Sequence, residues 1–275
     1  MMITPAGDAA FARWLARAAG EALLALRAEL GFDDALMLKN AGDKISHELL
    51  TGALERWRPG DAVLSEEGAD SSARLGADRV WIIDPLDGTR EFSEEGRTDW
   101  AVHVALWRRA LARPGPGDLV AGAVGMPARG IILGTDTPPA YPPLRSSPGA
   151  PVLGARTAPA AVAHETLRIA CSRSRPPAFL TALADELGAE LVPMGSAGVK
   201  VSAVVTGEVD AYVHAGGQYE WDSAAPVAVA RATGLHTSRI DGSVLDYNQP
   251  DPTLPDLLVC RKDLAHRLLA TISSL

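Results

Sequence analysis

Cysteine is nearly absent: Cys171 and Cys260 are the only two in 275 residues. That excludes a disulfide framework and makes a reducing, cytoplasmic setting the expectation. Positive charge is also short. Lys and Arg total 26 against 34 Asp and Glu, giving a formal net charge of -8. A general nucleic-acid surface needs a basic stripe, so no nucleic-acid partner is expected. A small phosphorylated ligand held by a few local cations remains compatible with this balance. Long uninterrupted apolar runs are missing as well. The stretch FARWLARAAGEALLALRAEL carries Arg13, Arg17, Glu21 and Arg27. Its spacing reads as an amphipathic helix, neither a membrane span nor a secretory leader, so no membrane partner is expected. No repeat of solenoid period occurs.

What is present is a large apolar fraction, 47%, enough for a sizeable core. The pattern predicts a first helix over 8–30, ended near Gly31, and a second over 41–57 that stops before Pro59-Gly60. Strands follow over 62–67, 79–84 and 100–109, and a hairpin over 119–135 turns near Pro127–Gly130. Residues 134–165 are dense in Pro, Ser, Ala and Gly and read as an irregular excursion. Beyond it, strands near 167–173, 189–195, 209–215 and 254–261 alternate with helices near 176–187, 197–207, 221–234 and 262–273. Such alternation argues for layered α/β packing. The expected organisation is an N-terminal α+β lobe, 1–165, carrying most of the acidic site, and a C-terminal α/β lobe, 166–275, completing it.

The acidic residues fall at element ends. Glu66 and Glu67 end one strand, and Asp84 and Asp87 end the next. Asp43 is read as opening the second helix, and Asp222 as opening a later one. Carboxylates and carbonyls, including that of Leu86, are ligands for hard divalent cations such as Mg²⁺. A carboxylate cluster without matching lysines is electrostatically poor unless a cation fills it. Gly88 and Thr89 come next. There a turn can offer backbone N–H groups to phosphate oxygens. Taken singly, a D-P-x-D turn is an ordinary solvated loop and a Glu-Glu pair an ordinary strand end; only the combination is specific.

That combination, SEE at 65–67, DPLDGT at 84–89 and EWDSAAP at 220–226, resembles the inositol monophosphatase superfamily. The resemblance implies a five-layer αβαβα sandwich and a Mg²⁺-dependent, lithium-sensitive phosphatase, with Mn²⁺ as a substitute ion. DPLDGTREF, CSRSRP (171–176) and GSAGVK (195–200) are similar to the 3'(2'),5'-bisphosphate nucleotidase, CysQ-like branch, and HAGGQYEWDSAAP to its actinobacterial members. The implied reaction removes the 3'-phosphate of 3'-phosphoadenosine 5'-phosphate, or of its sulfated relative, in sulfate assimilation. The resemblance implies Glu66, Asp84, Leu86 (through its carbonyl), Asp87 and Asp222 as metal ligands. Asp43 reaches a further metal or orients the attacking water with Thr89, and Glu66 shares the catalytic role. Gly88 and Thr89 hold the scissile phosphate, and Glu67 is linked through water. Arg90, Ser172, Gly195, Ser196 and Lys200 surround the rest of the substrate. Relatives are often dimers, which makes a homodimer one expectation and leaves the monomer open.

One departure from the family stands out: LKNAGD replaces a longer hairpin before Asp43, retaining only Lys39 and Asp43. This puts a third metal in doubt. Of the remaining polar residues, His103 and His214 read as packed or hydrogen-bonded, Cys171 as a buried small residue, Trp100 and Trp107 as core, and Arg129 as a turn residue. Tyr219 and Trp221 stand near the site as candidates for base stacking, and Arg90, Arg173 and Arg175 for a second phosphate. The rival readings are an inositol-1-phosphate or fructose-1,6-bisphosphate phosphatase and a catalytically silent nucleotide-binding regulator.

Overall fold

The computed structural model describes residues 5–110, 117–141, 166–174 and 176–275. From residue 142 onward the excursion expected over 134–165 lies outside the described residues, as does Arg175. The chain opens with α1 (Asp8–Leu30) and α2 (Ala35–Trp57), then β1 (Ala62–Ser65), β2 (Arg79–Asp87), the short helix α3 (Thr89–Phe92), β3 (Ala101–Arg108), β4 (Asp118–Met126) and β5 (Ile131–Gly134). It continues with β6 (Arg168–Ser172), α4 (Leu180–Leu187), β7 (Glu190–Met194), α5 (Ala197–Val205), β8 (Ala211–Tyr219), α6 (Glu220–Ala232), β9 (His236–Ser238), β10 (Thr253–Cys260) and α7 (Ala265–Ser274).

Two five-stranded sheets result, in the orders β1-β2-β3-β4-β5 and β7-β6-β8-β10-β9. In the first, β1 and β2 are parallel and the other neighbours antiparallel. In the second, β6 runs parallel to β7 and β8, and β10 antiparallel to β8 and β9. Side chains alternate across a strand, and three apolar clusters follow from that alternation. Trp81, Ile83, Val102, Val104 and Leu106 pack outward with Phe11, Leu15, Leu23, Leu38 and Leu50 of α1 and α2. Val80, Ile82, Ala101, Ala105 and Trp107 point the other way, toward α5 and α6. Ile169, Val213 and Leu258 of the second sheet meet Leu180, Leu183 and Leu268 of α4 and α7. The layers therefore run α, β, α, β, α, as expected. Among the described residues no helix is long and apolar enough to cross a membrane.

Several boundaries differ from the sequence reading. Asp43 does not open α2; it lies two turns inside it. The helix starts at Ala35 because Asp34 caps it, its Oδ1 accepting from the Met37 N–H at 2.9 Å, and a cap satisfies an otherwise orphaned donor. Helix takes the place of the family hairpin. Strand β8 runs on through Gly216 and Gly217, both left-handed, to Tyr219 at the start of α6. The short strand β9 was not anticipated. The last helix is preceded by a 3₁₀ turn, Lys262–Leu264.

Candidate active site

The inward face of β2 bears Val80 and Ile82, so the same alternation aims Asp84 between the sheets. Its cross-strand partner in register is His103. Register then breaks between Asp84 and Asp87, and this irregularity lets the second aspartate turn into the same region. The turn is pinned by short-range bonds. The Leu86 N–H donates to Asp84 Oδ1 at 3.0 Å, Ser46 Oγ donates to the Pro85 carbonyl at 2.6 Å, and Thr89 Oγ1 donates to the Leu86 carbonyl at 3.2 Å. Gly88 sits at φ 87° against Asp99 and Trp100. A side chain there would be strained and crowded.

Asp87 is held from behind. Its Oδ2 accepts from Ser196 Oγ at 2.5 Å and from the Gly198 N–H at 2.8 Å, and lies 3.2 Å from His103 Nε2. Burial works to raise this carboxyl, but His103, Lys200 and Ser196 outweigh it and hold it below the usual aspartate value. Its neighbours go the other way. Burial, then the charges of Glu66, Asp87 and Asp222, keep Asp84 well above the usual range. Burial and Asp87 push Asp222 up to about 7, against the 2.7 Å bond it accepts from the Tyr219 N–H. Burial of its carboxyl end and the charge of Asp222 push Glu66 up to about 7, although the residue's remaining surface is open. Asp43 reaches about 7 through burial and the charge of Glu67, partly offset by Lys39.

These acids retain protons because too few cations face them. A divalent ion is the natural complement, and the donor set, carboxylates with the Leu86 carbonyl between Asp84 and Asp87, matches a hard cation. One oxygen from each of Asp84 and Asp87 and a ring nitrogen of His103 lie within 4.8 Å of one another. The residues present thus fit a metal site.

Beside the cluster lies a cavity of about 450 Å³, within the range of small-molecule sites. Gly88, Thr89, Arg90, Ser172, Gly195, Ser196 and Lys200, all expected around a substrate, line it together with Asp87 and Asp222. Glu66, Asp84, Leu86, Asp43 and Glu67 are not part of its wall. Asp84 and Leu86 are buried behind it, and Glu67 is exposed beside Asp43.

Three of these residues also make bonds within the protein. The Thr89 hydroxyl donates to the Leu86 carbonyl, and Asp43 lies within α2. Ser196 spends its hydroxyl on Asp87 and, at φ 49°, on capping α5 through the Val199 N–H at 3.0 Å. Lys200 Nζ donates to the carbonyls of Ser196 at 2.6 Å and Gly195 at 3.3 Å.

Other residues were missed. Glu91 is buried and accepts from Arg173 Nε at 3.1 Å and Nη2 at 2.7 Å, and Glu94 takes Nη2 at 2.9 Å. The Arg-Glu pair therefore fastens the turn after β2 to the end of β6. Tyr212, His214 and Gln218 also line the cavity. Tyr219 and Trp221 stack on each other, centroids 4.7 Å apart. His103, read as packed or hydrogen-bonded, is both, buried with Nδ1 3.0 Å from the Trp221 carbonyl, but its contact with Asp87 was not anticipated. Burial works against a charge on its ring, yet Asp87 and the Trp221 carbonyl hold its pKa above the usual histidine value. The available signal was a lone histidine in the otherwise apolar run of β3, paired in register with Asp84.

Known proteins resemble the chain throughout. Two relatives are named 3'-phosphoadenosine 5'-phosphate phosphatase. That of Mycobacterium leprae is 52% identical over 268 residues, 96% of this chain and 93% of that protein. That of Mycobacterium tuberculosis is 53% identical over 256 residues, 93% and 89% of the two chains. Among solved structures, CysQ from Bacteroides thetaiotaomicron superposes with TM-score 0.70 at 27% identity, covering 91% of this chain and 96% of that one. An inositol monophosphate-bound SaIMPase-II shares the fold, with TM-score 0.70 at 19% identity over 94% and 91%. The profile of the inositol monophosphatase family matches residues 9–275. The acids at the ends of β1, β2 and β8 thus converge inside a fold already matched over nearly its whole length, and the chain belongs to the metal-dependent inositol monophosphatase family.

Proposed function

We propose that the protein is a Mg²⁺-dependent phosphomonoesterase that removes the 3'-phosphate of 3'-phosphoadenosine 5'-phosphate to give AMP, in sulfate assimilation. The carrying observation is one cavity whose wall holds Asp87, Asp222 and the Gly88–Thr89 turn, with Asp84 and Glu66 crowded against those two acids. The two mycobacterial relatives, 52% and 53% identical, bear the name of that activity and support the substrate. Its sulfated analogue is a further candidate. The partner is a small nucleotide, not a nucleic acid or a membrane, and the setting is the cytoplasm. Li⁺ is expected to inhibit and Mn²⁺ to substitute for Mg²⁺.

Glu66, Asp84, the Leu86 carbonyl, Asp87 and Asp222 would hold the cations, with Asp43 toward a further one. Bound ions supply Lewis acidity and a water of lowered pKa. The N–H groups at Gly88 and Thr89, the open first turn of α3, take the phosphate oxygens. Arg90 and Lys200 add positive charge along the cavity wall. Without a cation, Asp43 and Glu66 hold their protons up to about 7 through burial and neighbouring acids, and a bound divalent ion would displace those protons. The Thr89 hydroxyl orients the attacking water. Each acid of the set is present, which disfavours a silent regulator. Phosphate release from 3'-phosphoadenosine 5'-phosphate, measured with Mg²⁺ and with EDTA, tests the reading. Asp87→Asn should lose at least a hundredfold in kcat/KM. Near-wild-type, Mg²⁺-dependent turnover by that variant contradicts the assignment.

A further inference from the structure

His103 touches both halves of the carboxylate cluster. Its ring is fully buried on the inward face of β3. Nδ1 lies 3.0 Å from the Trp221 carbonyl. A carbonyl has no proton to give, so Nδ1 is the donor and the ring's orientation is fixed. Nε2 then faces Asp87 Oδ2 at 3.2 Å and has no well-aligned hydrogen-bond partner. Trp221 immediately precedes Asp222. The imidazole therefore spans the gap between β2, which carries Asp84 and Asp87, and the start of α6, which carries Asp222. The neighbouring helix is shaped around it. A methyl group on Gly198 would overlap His103 Nε2, while the Gly198 N–H donates to the same Asp87 oxygen at 2.8 Å.

We propose that His103 is a positioning residue: it sets the separation between Asp87 and the first turn of α6, so that Asp87 and Asp222 present their free oxygens to one cation. The inference rests on the reading of Asp84, Asp87 and Asp222 as cation ligands. Direct ligation by the ring is the rival role, since one nitrogen lies within 4.8 Å of the aspartate oxygens. Two facts favour positioning. Asp87 and Asp222 line the cavity and His103 does not. The Asp87 oxygen facing the ring already accepts from Ser196 and Gly198, so it is the rear oxygen.

The test uses the full chain, Mn²⁺ titrated by calorimetry, and electron spin-echo spectroscopy of the bound ion. His103→Ala should weaken Mn²⁺ binding about 10- to 100-fold, as removing a ligand's supporting partner does elsewhere. His103→Asn keeps a donor for the Trp221 carbonyl and should recover part of that loss. The Mn²⁺ concentration for half-activation should move more than KM for the nucleotide or kcat at saturating Mn²⁺, a split that general destabilisation would not give. Gly198→Ala should weaken binding in the wild-type background but cost less than about twofold beside His103→Ala, because contacting sites couple. Thermal melts in EDTA identify any variant that fails to fold, and Gly198→Ala then carries the test. Mn²⁺ binding within twofold of wild type in both His103→Ala and Gly198→Ala overturns the proposal. So does a directly coordinated imidazole nitrogen that vanishes in His103→Ala. Asp87→Asn separates the premises: unchanged Mn²⁺ binding there removes the ligand reading itself. Lost binding there with intact binding in His103→Ala removes only the role of the ring.

Discussion

Stripping cations from the protein should invert the usual pH dependence of its stability. Asp222 is held at about 7 in the folded chain against an ordinary value of 3.8, and Asp84 is raised in the same direction. A carboxyl raised by folding keeps its proton where the unfolded chain has lost it. The folded state therefore binds more protons between about pH 4 and 7, and stability falls as pH rises through that window. His103, raised above 6.5, acts in the same sense at its upper end. Asp87, which is lowered, acts in the opposite sense but only near and below pH 4. Because the acids share their protons, one net proton is a conservative count. At about 1.4 kcal/mol per pH unit, tapering as pH approaches 7, this amounts to about 2 kcal/mol between pH 5 and 7. With an unfolding entropy of about 2 cal/mol/K per residue, Tm should drop by about 4 °C. Melts in EDTA at pH 5, 6 and 7 read this directly. Saturating Mg²⁺ should abolish the drop, since the ion binds only the deprotonated acids. A metal-free Tm that is flat or rises over this range would refute the reasoning.

Ser196→Ala removes both the donor to Asp87 and the cap of α5. It should lower stability by about 1–3 kcal/mol and raise the Mg²⁺ concentration for half-activation, measured by melts and by phosphate release. Cys171 and Cys260 are both buried. Burial raises both thiols, Cys260 to about 12, so neither should react with an aromatic disulfide reagent at pH 8 until the chain unfolds. Absorbance during a denaturant titration checks this, and two thiols should then appear together.

The acids of the site were legible because their chemistry is local. Asp84, Pro85, Leu86 and Asp87 crowd two acids into the end of an apolar strand, and only a few arrangements accommodate that. The layers were legible from alternating strands and helices. Asp43 was misplaced because LKNAGD contains nothing that stops a helix except Gly42, while the true start signal, Asp34, stands seven residues earlier than the predicted start. Strand β8 was cut short at Gly216-Gly217 because paired glycines ordinarily mark a turn, whereas here β10 continues to pair with Gln218 and Tyr219. The partners of His103, Glu91 and Gly198 were invisible for another reason. Their roles exist only across contacts of 118, 82 and 111 residues, which no local spacing encodes. Ser196 and Lys200 were placed at the right cavity, but their bonds to Asp87, Gly195 and Ser196 were not read, since sequence gives proximity to a motif but not the direction of a hydrogen bond.

The central claim is that this cation-holding cavity is built for a nucleotide. Its most direct test is kcat/KM, with Mg²⁺, for 3'-phosphoadenosine 5'-phosphate, inositol-1-phosphate and fructose-1,6-bisphosphate in one assay. The account predicts a preference of about tenfold or more for the nucleotide, roughly 1.4 kcal/mol in transition-state stabilisation. A preference of that size for either sugar or inositol phosphate would contradict it.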